Sequence, residues 1–307
     1  MNFSHLQAFQ LVAELGNMTR AAEQLNVAQP ALSKTIANLE QQFGVPLFDR
    51  RGRRLELNPC GEVLLKRVKA IFNELEQAKQ ELADMAGDDT GHVTVGVTTS
   101  QILPNLFANY LSQHPEIKFR LFQVAGRYEI ANQLRDGVVD LCITSLPLEY
   151  PSDGNSVASQ TLMSEKICLA VRDDHPLAQQ ASVTLDDIAQ EKFVSYPRED
   201  GIREITDRVC LQAGFRPNVV FESFDSSVIA HLVRDGVGVA LMPESWWQGA
   251  PREHLVKLPI NHDAMQRTIL LSWMENRYLS PAARNFCEFI GEYAKLMERD
   301  ARLGELS

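Results

Sequence analysis

The chain has 307 residues, 45% of them apolar and 23% charged, with a net charge of −10 and five cysteines. That length predicts two domains and enough chain to bury a sizeable core. No apolar run approaches the roughly 18–20 residues that span a bilayer, and no basic-then-apolar leader opens the chain. Cys60, Cys142, Cys168, Cys210 and Cys287 are scattered without a C-x-x-C pair, which argues against a disulfide framework or zinc ribbon. A cytoplasmic protein with no membrane partner is expected.

The charge is unevenly divided. Residues 1–69 carry nine Lys and Arg against six Asp and Glu, whereas the remaining 238 carry 21 against 34. A short polyanion-binding head on an acidic body follows. In the head, Leu6, Phe9 and Ala13 predict a helix over 4–15, which Gly16-Asn17 interrupts. A second helix runs from Thr19 to Leu25, with small Ala21 and Ala22 facing inward. After a tight turn, Leu32, Ile36, Leu39 and Phe43 predict a third from Gln29 to Phe43. Pro30 fits its first turn and Gly44 its end. This is a helix-turn-helix plan.

The outward face of the third helix carries Gln29, Ser33, Lys34 and Asn38, which suit base edges and phosphates, and Pro30 and Ala31, which suit thymine methyls. Arg50, Arg51, Arg53 and Arg54 surround Gly52 on a strand-turn-strand wing fitted to phosphates or the minor groove. Each part alone reads better as a small helical core or a solvated arginine turn; the ordered combination predicts binding to double-stranded DNA.

Residues 1–64 resemble the DNA-binding region of LysR-type transcriptional regulators. The resemblance is carried by Phe9 to Val12, Thr19-Arg20-Ala21-Ala22-Glu23-Gln24-Leu25, Gln29-Pro30-Ala31-Leu32-Ser33, Leu39-Glu40 and Gly44-Val45-Pro46-Leu47-Phe48-Asp49-Arg50. It implies base or phosphate contacts at Gln29, Pro30, Ser33 and Lys34, with Arg50 and Arg53 near the wing. One position departs from the family pattern: Ala28 stands where a Ser or Thr usually precedes Gln-Pro, so a hydroxyl cap on the third helix is missing.

Asn58 and Pro59 predict the start of a long helix. Along it Leu64, Val68, Ile71, Leu75, Ala78, Leu82 and Met85 keep steps of four and three, a coiled-coil seam about 40 Å long. With no second apolar stripe evident, the seam is expected to pair with a second copy rather than with its own domain. The resemblance implies the same homodimer, and a further pairing into a homotetramer. RNA polymerase is entertained as an additional partner.

From His92 onward strand and helix signals alternate. Strands are predicted at 93–97, 117–124, 139–144, 166–171, 193–196, 218–222, 237–242 and 267–273, with helices at 102–111, 128–136, 201–213, 225–235 and 281–299. A largely parallel α/β fold is expected. Leu134-Arg135-Asp136-Gly137-Val138 returns as Val233-Arg234-Asp235-Gly236-Val237, suggesting two lobes with a ligand cleft beyond the strand ends. This half resembles the family's effector domain, which is similar to periplasmic solute-binding proteins. The expected architecture is thus a winged helix-turn-helix at 1–58, a linker helix at 59–87 and an α/β effector domain at 88–307. Lobe I would take about 92–161 and 267–307, and lobe II about 162–266.

Thr98, Thr99, Ser100, Gln101 and Ser145 follow strand ends and are expected to line the cleft. With them come Arg127, Arg203 and the segment Tyr196, Pro197, Gly201, Ile202, each placed by likeness to the family's ligand-contacting segments. Phe224 and Asp225 would close the far wall or cap a helix. Two arginines and a hydroxyl-rich turn favour a small organic anion as effector; the equal alternative is that both arginines are surface salt-bridge partners in the acidic body. No Walker A loop, G-x-S-x-G, H-E-x-x-H or G-x-G-x-x-G occurs, and the seven histidines lack metal-ligand spacing. Neither catalysis nor a cofactor is expected. Cys210 as a redox sensor is the weaker reading, because no resolving thiol is near in sequence. The opposing class is a cytoplasmic small-molecule-binding or catalytic α/β protein whose head mediates assembly.

Overall fold

The computed structural model describes residues 2–304 except 52–53, 87–90, 99–102, 125, 149–155 and 249–252; the side chains of residues 50, 51, 54 and 296–304 are also outside the description. The chain forms two compact units, Met1–Leu82 and Ala83–Ser307. No helix among the described residues is long and apolar enough to cross a membrane.

The first unit contains α1 (Phe3–Leu15), α2 (Met18–Gln24), α3 (Gln29–Phe43), an antiparallel hairpin of β1 (Phe48–Arg51) and β2 (Arg54–Leu57), and α4 (Pro59–Met85). Its core is Leu6, Phe9, Val12, Ala21, Ala22, Leu32, Ile36, Leu39, Leu47, Phe48 and Val68. Gly16 ends α1 in the left-handed conformation and Asn17 caps α2 by accepting from the amides of Thr19 and Arg20. Asn58 anchors α4: its Oδ1 accepts from Gly61 N at 2.9 Å, while its Nδ2 donates to Pro46 O. Gly61 is packed so closely that a Cβ would overlap the Leu47 carbonyl and the Leu57 side chain. Only glycine lets the hairpin sit against the first turn of α4.

The second unit opens with β3 (His92–Val97), α5 (Leu103–Gln113), β4 (Lys118–Gln123), α6 (Arg127–Arg135), β5 (Leu141–Thr144) and the 16-residue β6 (Val157–Arg172). It continues through α7 (Leu185–Ile188), β7 (Lys192–Ser195), α8 (Gly201–Gln212), β8 (Asn218–Glu222), α9 (Ser226–Arg234), β9 (Ala240–Pro243) and β10 (Leu255–Leu258). It returns along β11 (Gln266–Met274) and ends in α10 (Pro281–Gly304). The strand order is β10-β6-β11-β5-β3-β4, with β9 also on β6, and β7 pairs with β8 separately.

Two lobes result, each with its own core. One is built from Val93, Val95, Leu106, Tyr110, Leu141, Ile143, Leu162, Ile269, Leu271, Phe286 and Ile290, with Ile130, Leu134 and Cys142 on the opposite face of its sheet. The other lies wholly between Ile167 and Met265 and includes Phe193, Tyr196, Ile202, Val209, Ile229, Val233, Trp246 and Trp247. β6 and β11 join them. Residues 157–166 of β6 pair with β11; from Ile167 the strand turns to β9 and β10. Leu162 is bulged out of register opposite Ile269 and Leu270.

The expectation of largely parallel strands needs correction. β3–β4, β3–β5 and β7–β8 are parallel, but every pair involving β6 or β11 is antiparallel. The chain goes out to the second lobe on β6 and must come back on β11, so these strands run oppositely. The strand predicted at 166–171 is therefore only the second half of β6. The internal repeat is structural: α6 and α9 each end at Asp-Gly with the glycine left-handed, Gly137 at φ 68° and Gly236 at φ 78°. Over each glycine lies an arginine guanidinium, Arg277 in one lobe and Arg172 in the other.

Candidate functional site

On the first unit, α3 presents Gln29, Pro30, Ala31, Lys34 and Asn38 to solvent, with Ser33 half-buried. Leu32, Ile36 and Leu39 hold the opposite face in the core. Ala28 is the N-cap and makes no side-chain capping bond, as its methyl side chain dictates. Pro30 carries no N–H, and the Ala31 and Leu32 amides donate to Ala28 O at 2.9 and 3.1 Å, so the backbone meets the needs of this first turn without a side-chain cap. Glu40 Oε1 accepts from Leu47 N at 2.8 Å and ties the end of α3 to the hairpin. The hairpin aligns Arg50 with Leu55 and Arg51 with Arg54, and Leu55 N donates to Gly16 O. Gly52 and Arg53 lie outside the described residues, and so do the side chains of Arg50, Arg51 and Arg54.

The α4 seam divides in two. Leu64 and Val68 pack into the core of the first unit, joined by Leu65 and Phe72, so a second apolar stripe does exist and the near end of the seam serves its own domain. Ile71, Leu75 and Ala78 are exposed, and Leu82 and Met85 still more so at 66% and 79%. The far end is an apolar stripe without cover in the single chain.

In the second unit, the arginines expected in the cleft are engaged by carboxylates. Arg203 is buried; its Nε donates to Asp207 Oδ1 at 2.7 Å and its Nη1 to Glu222 Oε1 and Tyr196 O, both at 2.9 Å. Arg127 lies 3.5 Å from Glu204 and over the Tyr128 ring. Both arginines thus have carboxylate partners, Arg203 as a buried residue rather than at the surface. Several other expected residues also have partners within their own lobe. Tyr196 and Ile202 belong to the lobe core, the Tyr196 hydroxyl lying 2.9 Å from Ser226 Oγ. Asp225 caps α9 by accepting from Ser227 N, while Phe224 is exposed. Pro197 O accepts from Asp200 N in the turn that starts α8. Thr98 follows β3 and donates its amide to Ile143 O; Thr99, Ser100 and Gln101 lie outside the described residues.

Ser145 does reach the junction of the lobes. It directly follows β5 in a buried position, and a Cβ on Gly201 would lie 3.0 Å from the Ser145 Cβ, so the glycine permits close approach of α8. Arg267, which the sequence reading passed over, is 2% exposed and donates from Nη1 to Ser145 Oγ at 3.3 Å and from Nε to Glu165 Oε1 at 2.7 Å. Glu165 is its cross-strand neighbour, and Glu165 Oε2 accepts from Ser245 N at 2.6 Å. Asp200 caps α8 through Ile202 N; burial holds its carboxyl above the usual range, against the lowering effects of that amide and of Arg267. No spacing cue marks Arg267 and Glu165, which lie 102 positions apart.

Four of the five cysteines are buried and free. Burial pushes the thiols of Cys168 up to about 11 and of Cys210 and Cys287 to about 12, and raises Cys142 as well. Thiolates are scarce at neutral pH in such places, which removes the basis for a redox switch at Cys210. Trp246 and Trp247 pack edge to face in the core rather than forming a surface patch. Among the described residues no group of three His, Cys, Asp or Glu could hold a metal.

Comparison with known proteins agrees with this anatomy. The family model of bacterial regulatory helix-turn-helix proteins of the lysR family matches residues 3–62, and that of the LysR substrate binding domain matches residues 86–295. The transcriptional dual regulator GltC of Bacillus subtilis is 34% identical over 302 residues, covering 97% of this chain and 99% of that protein. The HTH-type transcriptional regulator YybE of the same organism is 33% identical over 293 residues, covering 94% and 98%. Among solved structures, the LysR family regulator CbnR in complex with its target DNA superposes with a TM-score of 0.75 at 21% identity, covering 96% of this chain and 100% of that one. These relatives are transcriptional regulators and not enzymes. The chain belongs to the LysR family of bacterial transcriptional regulators.

Proposed function

We propose that the regulator acts as a cytoplasmic homodimer, assembling further into a tetramer, whose α3 helices read two DNA half-sites. The observation that carries this reading is the exposed polar face of α3, Gln29 through Asn38, backed by apolar packing on its other side. Gln29, Pro30, Ser33, Lys34 and Asn38 would meet base edges and phosphates in the major groove, and the arginine hairpin the flanking backbone. The bare stripe from Ile71 to Met85 supports pairing of two α4 helices, which sets the spacing of the heads. The assignment of residues 1–58 to the DNA-binding domain, 59–87 to the linker helix and 88–307 to the effector domain follows.

A small molecule seated between the lobes, near Ser145, Gly201 and the end of β3, would favour one closure of the hinge and so one placement of the heads. With Arg127 and Arg203 already paired, the case for an anionic effector passes to Arg267.

Fluorescence anisotropy at physiological salt, using a duplex from upstream of the protein's own gene and a scrambled duplex of equal length, tests the reading. Preference for the upstream duplex, lost in Ser33→Ala/Lys34→Ala without loss of fold, is the expected result. Unchanged affinity in that variant overturns the site map.

A further inference from the structure

The geometry points to the Nη1–Nη2 edge of Arg267 as the receptor for a carboxylate group of the effector, with Glu165 as the resident anion that keeps this cation folded into the hinge. The inference rests on the interlobe cleft being the effector site.

Arg267 is an incompletely used fork. Its Nε donates to Glu165 Oε1, and Nη2 lies 2.6 Å from the same oxygen as an ion-pair contact. Yet Nη2, wholly buried, has no hydrogen-bond acceptor among the described residues. Nη1 holds only the long 3.3 Å bond to Ser145 Oγ. Glu165 cannot turn to satisfy the fork side by side, because its Oε2 is taken by the Ser245 amide. Two parallel N–H groups with no planar partner fit the two oxygens of a carboxylate. An edge served only by a 3.3 Å hydroxyl contact and an ion pair shared with Nε is under-satisfied in a buried place, so the arrangement suits a group that arrives from outside.

The position of the pair gives the contact a consequence. Arg267 and Glu165 face each other where β6 leaves β11 for β9, so they sit at the hinge itself. On one side Ser145 directly follows β5; on the other Ser245 lies in the turn after β9 that bears Trp246 and Trp247. A carboxylate on the free edge competes with Ser145 for Nη1 and shares the positive charge that Glu165 now holds alone. Occupancy is thereby communicated to the backbone of both lobes and to the two tryptophans.

The test uses the full chain and a panel of sodium acetate, succinate, 2-oxoglutarate, benzoate and shikimate, each against its neutral amide at matched ionic strength. Thermal unfolding and tryptophan fluorescence are the readouts. At least one carboxylate, and not its amide, should raise the melting temperature and change the tryptophan emission. Glu165→Gln frees the whole fork, so the same carboxylate should bind about tenfold more tightly, the size of one charge-assisted hydrogen bond. Glu165→Gln/Arg267→Gln, uncharged at both positions and checked for fold by circular dichroism, should lose the response. Equal binding by this double variant and the wild type overturns Arg267 as receptor while leaving the cleft intact. Binding that survives Ser145→Trp, which fills the space beside Gly201, places the carboxylate elsewhere and overturns the cleft reading. No carboxylate response in either the wild type or Glu165→Gln overturns the carboxylate assignment itself.

Discussion

The two units of this regulator keep the groups proposed for recognition in opposite states. On α3 the polar side chains stand in water, with Gln29, Lys34 and Asn38 exposed and the helix end left uncapped at Ala28. At the hinge of the second unit Ser145, Glu165 and Arg267 are buried and occupied with one another. The difference follows from the partner. DNA is a large polyanion that meets a surface, so its readers need only be held in place from behind. A small ligand must be enclosed, and groups that will bind it have to be kept solvated by protein until it comes.

That contrast is sharpest in stability. Arg267→Ala strands Glu165 as an unpaired buried carboxylate and is expected to cost about 3–5 kcal/mol in urea unfolding. Lys34→Ala should stay within about 0.5 kcal/mol of the wild type, as an exposed position does. Equal costs would erase the distinction. Gly61→Ala falls between them: it belongs to the DNA-binding unit but is buried against Leu47 and Leu57, so a loss of about 1–3 kcal/mol is expected from overpacking. Leu75→Glu acts on assembly instead, and sedimentation should show monomers where the wild type is dimeric; a persisting dimer refutes the α4 pairing. On the DNA side, Lys34→Ala should weaken binding to all sequences alike and lower the salt slope by about 1, measured by anisotropy at several salt concentrations.

The smallest expected effect concerns Asp200. Its carboxyl is raised by burial, so the folded protein holds this proton more tightly than the unfolded chain does. Ionisation therefore penalises folding increasingly as pH climbs from the ordinary carboxylate range to the shifted value, and by a constant amount above it. Asp200→Asn keeps the cap on α8 and removes the charge. Its melting temperature should exceed the wild type's more at about pH 7 than at about pH 4; a pH-independent difference would show the carboxyl to be unstrained.

Legibility in the sequence followed the same divide. The helices of the first unit are local: apolar period, Gly16, Asn17, Pro30 and Gly44 all act within a few residues, and the helix boundaries fall near where these signals place them. The Asp-Gly repeat was legible for the same reason. The first half of β6 was not, because Ser159, Gln160, Thr161 and Ser164 blur the apolar alternation and only pairing with β11 makes the segment a strand. The sequence left the two arginines between cleft and salt bridge because it shows a cation but not its counterions; Asp207 and Glu222 come to Arg203 through folding. Arg267 was invisible for the complementary reason, a lone charge at the head of a strand whose partner lies far away in the chain. On α4, period alone did not reveal that Leu64 and Val68 are claimed by their own unit.

The path of β6 and β11 has a consequence for how the chain matures on the ribosome. The second lobe is one uninterrupted stretch from Ile167 to Met265 and has its whole core once that stretch has emerged. The first lobe has its opening strands earliest but waits for Ile269, Leu271, Phe286 and Ile290, which leave the ribosome last. Until then Val93, Val95 and Ile143 have α5 but lack α10, and a nascent chain stalled before α10 would carry a finished inner lobe beside a half-covered apolar sheet.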